Sequence, residues 1–219
     1  KPSVQLLQIA DEMCGAKGLL LSAQDYLQPE RPASQYRQFF AAEAEAISIF
    51  SYDTLFIPGL LQTEEYARDL LSTAWPPIDD ETYEKRVAHR MRRQEKLRRN
   101  PPALFHFVIY EAAFRTNIGG PRVMKEQLEQ LLEVSQRRNV TLQVLPEIRR
   151  APSSLSGPMV LLETAKSKYV AYVEGQGTHV MYSDPQTVSD LSHCYGLIRT
   201  QALSAEETTA FIRKAAVWQ

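Results

Sequence analysis

Cysteine is nearly absent: Cys14 and Cys194 are the only two in 219 residues, and they stand far apart. Two such thiols build neither a disulfide framework nor a metal knuckle, and their scarcity fits a reducing cytoplasm. Long apolar runs are also missing. No stretch approaches the roughly 18 residues of a membrane span, and no signal-peptide pattern precedes the first helical pattern. Charge of one sign is not in excess. The 25 Lys and Arg stand against 26 Asp and Glu, a net charge of −1, which argues against a chain built throughout to grip nucleic acid. His89, His106, His179 and His193 are the only histidines, and they show no metal-ligand spacing. What remains, 44% hydrophobic and 23% charged residues, is ordinary for a soluble globular protein with a sizeable core, as one large domain or two small ones.

The catalytic motifs are missing as well. Ser153, Ser154 and Ser156 precede Gly157 without forming a Gly-x-Ser-x-Gly elbow. Gly119-Gly120-Pro121 has no following Lys-Ser/Thr and reads as a turn rather than a phosphate loop. His193 and Cys194 are adjacent on a helical pattern and point different ways, which rules them out as a nucleophile pair. No metal, cofactor or enzyme reading follows.

The pattern that is present begins with a helix over about 2–16, with Val4, Leu7 and Met13 inward, punctuated by Gly15 and Gly18. A Pro-bounded gap, 29–32, precedes a helix expected from Gln35 to Phe50, whose wheel groups Tyr36, Phe40, Ala44 and Ile47. Pro58-Gly59 is a turn, and Thr63 caps a helix ending near Thr73. A long helix runs from Asp79 or Asp80 to about Arg99, stopped by Asn100-Pro101-Pro102. After this the period changes. Leu104–Tyr110 and Val140–Leu145 read as strands around a helix from Pro121 to about Arg137, an order that predicts a right-handed crossover and a parallel pair. Met159–Leu162 and Tyr169–Val173 read as a hairpin, and two helices close the chain, about 184–199 and 204–216, the second opened by a Ser204/Glu207 capping box. The expected class is α+β: an α-helical N-terminal half packed on a small mixed β-sheet, with a βαβ unit and two C-terminal helices.

Two polar residues fall where a core is expected. Glu43 lies inside the apolar stripe of the 35–50 helix, and Gln94 lies inside the stripe of Tyr83, Val87, Met91 and Leu97, with Arg90 and Arg98 beside it. Buried charges need partners, because losing hydration costs several kcal/mol. Pairing of Glu43 with Arg90 or Arg93, with Gln94 in the network, is therefore expected, either as a structural ion pair or as the floor of a ligand pocket. Lys85, Arg92, Lys96 and Arg99 fall on the opposite face of the wheel and read as a solvated surface, with a partner or DNA surface as the alternative. Glu111 follows the first strand directly, where open sheets place ligand-binding groups. Glu43 and Glu111 are the residues an enzymatic alternative would use. His106 reads as a packed strand residue.

An ordered series of motifs carries a resemblance: EAEAISI at 43–49, PGLLQTEEYA at 58–67, RMRRQEKL at 90–97 and FHFVIYEAAFRTNIGGPRVMKEQLEQLLE at 105–133. NVTLQVLP at 139–146, SGPMVLLE with YVAYVEG at 156–175 and ALSAEETTAFIRKAA at 202–216 complete it. Together they resemble the C-terminal domain of actinobacterial Xre-type, WhiJ-like helix-turn-helix transcription regulators. The resemblance implies a regulatory domain over 29–219, with 1–28 as the tail of a helix-turn-helix domain plus a connecting helix. It also implies a small BldB-like protein or an unidentified small ligand as partner, DNA bound through the N-terminal module, and homodimerisation as a further expectation. The family offers no catalytic residues to carry over, but its motif positions include Glu43, Arg90, Arg93, Gln94 and Glu111.

Overall fold

In the computed structural model, which describes residues 4–22, 32–149 and 152–217, the chain divides into two compact units, Lys1–Gln38 and Phe39–Gln219. The Pro29–Arg31 stretch and the expected boundary at 28/29 lie outside the described residues.

The first unit contains α1 (Val4–Cys14) and α2 (Leu19–Ser22). Gly15 and Gly18 take left-handed φ values of 59° and 90° between them. The Asp11 carboxylate accepts from the amides of Gly18 (2.6 Å) and Leu20 (2.8 Å), so a buried acid is satisfied by amides that have no helical partner. Leu7 and Asp11 are the buried residues of α1. Val4 and Met13, expected inward, are exposed: the i, i+4 stripe that contains the capping Asp11 sets the covered face.

The division falls within α3 (Pro32–Glu45). The helix expected to continue to Phe50 stops at Glu45, and Ala46–Asp53 is strand β1. Ile47 and Phe50 happen to stay in helical phase with Phe40 and Ala44. The β-branched and aromatic content of ISIFSYD, buried on both faces, decides for strand. Thr63 caps α4 (Glu64–Ser72) and Asp79 caps α5 (Asp80–Gln94), each side chain accepting the N3 amide. Residues Glu95–Arg98 tighten into a 3-10 turn. There follow β2 (Leu104–Tyr110), α6 (Gly120–Ser135), β3 (Val140–Leu145), β4 (Met159–Thr164), β5 (Tyr169–Gly175), β6 (Thr178–Tyr182), α7 (Pro185–Gln201) and α8 (Ala205–Ala215), the last opened by the expected Ser204/Glu207 capping box.

These strands form one mixed sheet in the order β3-β2-β1-β4-β5-β6. The β1/β2 and β2/β3 pairs are parallel and the others antiparallel, as the βαβ reading of β2-α6-β3 requires. Strand alternation sends Phe105, Phe107 and Ile109 into a core with Phe39, Tyr66, Leu128 and Ile212. Val108 and Tyr52 point into a second core with Val188, Tyr195 and Ile198 of α7. The sheet is thus covered on both faces. The class is the expected α+β arrangement, with β1 and β6 added. Among the described residues no helix is long and apolar enough to cross a membrane.

Candidate functional site

The Glu43 carboxylate, only 3% exposed, is held at both oxygens by one guanidinium. Arg93 Nε donates to Oε1 at 2.8 Å and its terminal nitrogen to Oε2 at 2.6 Å. A bidentate fork of this kind is the geometry in which arginine best compensates a buried carboxylate. The same guanidinium lies 4.4 Å from the centroid of the Phe40 ring. The expected pairing of Glu43 is therefore made, and Arg93 makes it.

Arg90 and Gln94 belong to the next turn of the network. Arg90 donates to Gln62 Oε1 (2.8 Å), while Gln62 Nε2 donates to the Ile57 carbonyl (2.7 Å). Gln94 Nε2 donates to the carbonyls of Gln62 (2.6 Å) and Gly59 (3.3 Å). The PGLLQ turn is thereby stitched to α5 through its backbone. Gln62, 2% exposed, is the hub that the sequence reading passed over. On the far side of the turn, Gln127 of α6 donates to Leu61 O and accepts from Thr63 N, both at 2.8 Å.

Glu111 is not part of this constellation. It is buried at the C-terminal end of β2, pairs with Arg115, and accepts from the Glu147 amide at 3.0 Å. Glu43 precedes the first residue of β1, whereas Glu111 follows the last residue of β2, and the two strands run parallel with Asp53 opposite Ile109. At about 3.3 Å per residue the strand ends that the two residues flank lie roughly 25 Å apart. Glu43, Arg90, Arg93 and Gln94 thus meet at one junction, and Glu111 stands apart from it.

A second correction concerns the outer face of 85–99. Lys85 is exposed and pairs with Glu81 at 2.5 Å, as a solvated surface would. Lys96 and Arg99 are turned inward, because the 3-10 turn after Gln94 advances about 120° per residue instead of 100° and moves them off the wheel position. Arg98, expected beside the stripe, is exposed for the same reason. Arg99 donates to the carbonyls of Ala44 (3.2 Å) and Ala46 (2.6 Å), closing the C-terminal end of α3.

Between α3 and α5 these side chains line a cleft of about 550 Å³, formed by Phe40, Glu43, Ala44, His89, Arg92, Arg93, Glu95, Lys96 and Arg99. His89 meets the Phe40 ring edge-on at 4.7 Å. Partial burial, then Arg93, holds its imidazole below the ordinary range. The Lys96 ammonium is out of solvent contact and without a hydrogen-bond partner. Burial pushes it down to about 8, opposed by Glu43 and assisted by Arg99 and Arg93. A smaller cavity of about 320 Å³ lies between α5 and α6, where Glu95 and Glu133 balance Arg98 and Arg137.

Elsewhere, Asp53 ends β1 with Ser51 Oγ donating to it at 2.5 Å. Burial pushes the Asp53 carboxyl up to about 7 against that hydrogen bond, with Glu174 adding to the rise. His106 packs in its strand as expected, 2.6 Å from Gln143 Oε1, and burial lowers its imidazole. Among the described residues no cluster of three His, Cys, Asp or Glu could hold a metal ion.

The described residues thus define a mixed-sheet domain with a closed polar junction and one cationic cleft. A family model described as "Domain of unknown function (DUF5753)" matches residues 36–214, and the chain belongs to that family. No curated protein matches the chain.

Proposed function

We propose that this chain is the regulatory effector domain of a cytoplasmic, WhiJ-like transcription regulator of the Xre type from an actinobacterium. In this reading it binds a small partner protein or a small ligand and passes that state to a DNA-reading helix-turn-helix module on its N-terminal side. The ordered motifs from residue 43 to residue 216 support the family reading. The supporting observation for the mechanism is the seat of the cleft. One wall is the last part of α3, the helix into which the N-terminal residues lead, and that wall is tied to α5 by the buried Glu43–Arg93 fork. A partner changes the output only if it binds two arrangements of this junction unequally.

Calorimetry with the small BldB-like protein from the same locus tests the reading. Saturable binding, weakened by substitutions at the α3–α5 junction, is the expected result. Absence of binding by a chain shown to be folded contradicts the protein-partner version. The enzymatic alternative uses Glu43 or Glu111 as an acid-base group near Arg90; Glu43 is taken up by Arg93 and Glu111 by Arg115 and the Glu147 amide, which favours the binding reading.

A further inference from the structure

The geometry points to the cleft between α3 and α5 as a binding site for a small organic anion, a carboxylate or phosphate ester on a planar apolar body, with Lys96 as its charge partner. The assignment rests on the effector-domain reading for its biological use, but its chemistry is read from the cleft alone.

The first support is electrostatic. Four cations, Arg92, Arg93, Lys96 and Arg99, line the cleft against two carboxylates, Glu43 and Glu95, a surplus of two positive charges. The commitments of these groups differ. Arg93 is spent on Glu43 and Arg99 on the carbonyls that end α3. Arg92 and Glu95 are exposed. Arg99 Nε is also buried without a partner, but its terminal nitrogens are bonded, whereas the Lys96 ammonium is buried and has no hydrogen bond at all. A buried charge without a partner is disfavoured unless something completes it. The depressed protonation of Lys96 reports that unmet demand.

The second support is shape. A volume of about 550 Å³ falls within the roughly 300–1,000 Å³ range of small-molecule sites. Phe40 and Ala44 supply an apolar wall, and His89, held toward its neutral form, adds a second ring against Phe40. An aromatic acid fits this division: its ring lies along Phe40, the outer guanidinium of Arg92 stands at the rim, and its anionic group meets Lys96 once the ammonium turns from its buried position into the cleft. Groups facing Lys96 are Glu43 from α3, Arg93 from α5 and Arg99 from the segment after it. With Glu43 already neutralised by Arg93, the field left for a ligand is positive.

The test uses benzoate and phenyl phosphate as probes and benzamide as the uncharged isostere, followed by amide NMR shifts and calorimetry on the whole chain. The anions are expected to move the resonances of Phe40, His89 and Lys96, with affinity at least tenfold above that of benzamide. Binding should fall about tenfold between pH 7 and pH 9 as Lys96 loses its proton. Lys96→Gln should abolish the difference between benzoate and benzamide, while Lys85→Gln, on the exposed face of α5, leaves it intact. A cooperative thermal transition at or above the wild-type temperature shows that Lys96→Gln is folded. Equal binding of benzoate and benzamide, or undiminished anion binding by Lys96→Gln, overturns the assignment. Calorimetry with the BldB-like protein keeps the two readings apart. Anion binding at Lys96 by a chain that captures no partner contradicts the protein-partner version and leaves the site standing. Partner capture without anion binding does the reverse.

Discussion

The segment from Arg90 to Arg99 has two flanks that solve the same problem in opposite ways. Toward the PGLLQ turn, the polar groups of Arg90, Gln94 and Gln62 are consumed by one another and by backbone carbonyls. Toward α3, Arg93 and the terminal nitrogens of Arg99 are consumed, but Arg99 Nε and the whole Lys96 ammonium are left over beside an open cleft. The first flank fixes how a loop packs. The second leaves a charge to be completed. A polar residue in an apolar stripe therefore carries no single meaning, and its partners decide between scaffold and site.

The largest effect expected from breaking this comparison is at the closed junction. Glu43→Ala strands the half-buried Arg93 charge and should destabilise the domain by about 3 kcal/mol in urea unfolding. The Glu43→Ala/Arg93→Ala double variant should cost less than the sum of the singles, because the orphaned partner is then gone too. Next, Gln62→Ala removes the acceptor of Arg90 and should cost about 1–3 kcal/mol, the range for leaving buried polar groups unsatisfied. A smaller change, and of opposite sign, is expected at Lys96. Its folded pKa of about 8 lies below the ordinary 10.5, so between those values the unfolded chain holds more protons and stability rises with pH. Lys96→Met should thus stabilise the apo domain by about 1 kcal/mol at pH 7, discounted because the side chain as a whole is only partly buried and Glu43 offsets part of the cost, with the gain fading toward pH 10.5. Smallest of all, Lys85→Ala should stay within about 0.5 kcal/mol, as for any exposed ion pair.

Asp53 adds a pH test independent of the cleft. Its carboxyl is raised to about 7 from an ordinary 3.8, so the folded state holds the extra proton in that window. Its stabilising contribution is complete below about pH 4 and lost as pH rises through 7. Asp53→Asn should flatten that part of the pH–stability profile measured by thermal unfolding.

Much of this architecture was legible in the sequence. The bounds of β2 and β3 coincide with the runs LFHFVIY and VTLQVL, because aromatic and β-branched residues there are bracketed by turn signals. The pairing of Glu43 followed from one physical demand, that a carboxylate in an apolar stripe needs a cation. The wheel could not choose between Arg90 and Arg93, since both fall within one turn. The strongly helix-forming EAEA predicts helix into β1, and a strand buried on both sides shows no alternation to oppose it. β6 is a five-residue edge strand after the Gly177 turn, too short to announce itself. A 100° wheel puts Lys96 on the solvated face, because it does not anticipate a 3-10 turn. That Glu111 lies at the opposite end of the sheet from Glu43 is not legible in sequence order, which does not say which end of a parallel pair a residue occupies.

The state of the Lys96 ammonium tests the central claim most directly. Lysine side-chain NMR across pH 6 to 11 should show Lys96 titrating near 8 in the unliganded domain and returning toward 10.5 when phenyl phosphate is bound. A Lys96 that titrates at 10.5 with and without the anion would contradict the account.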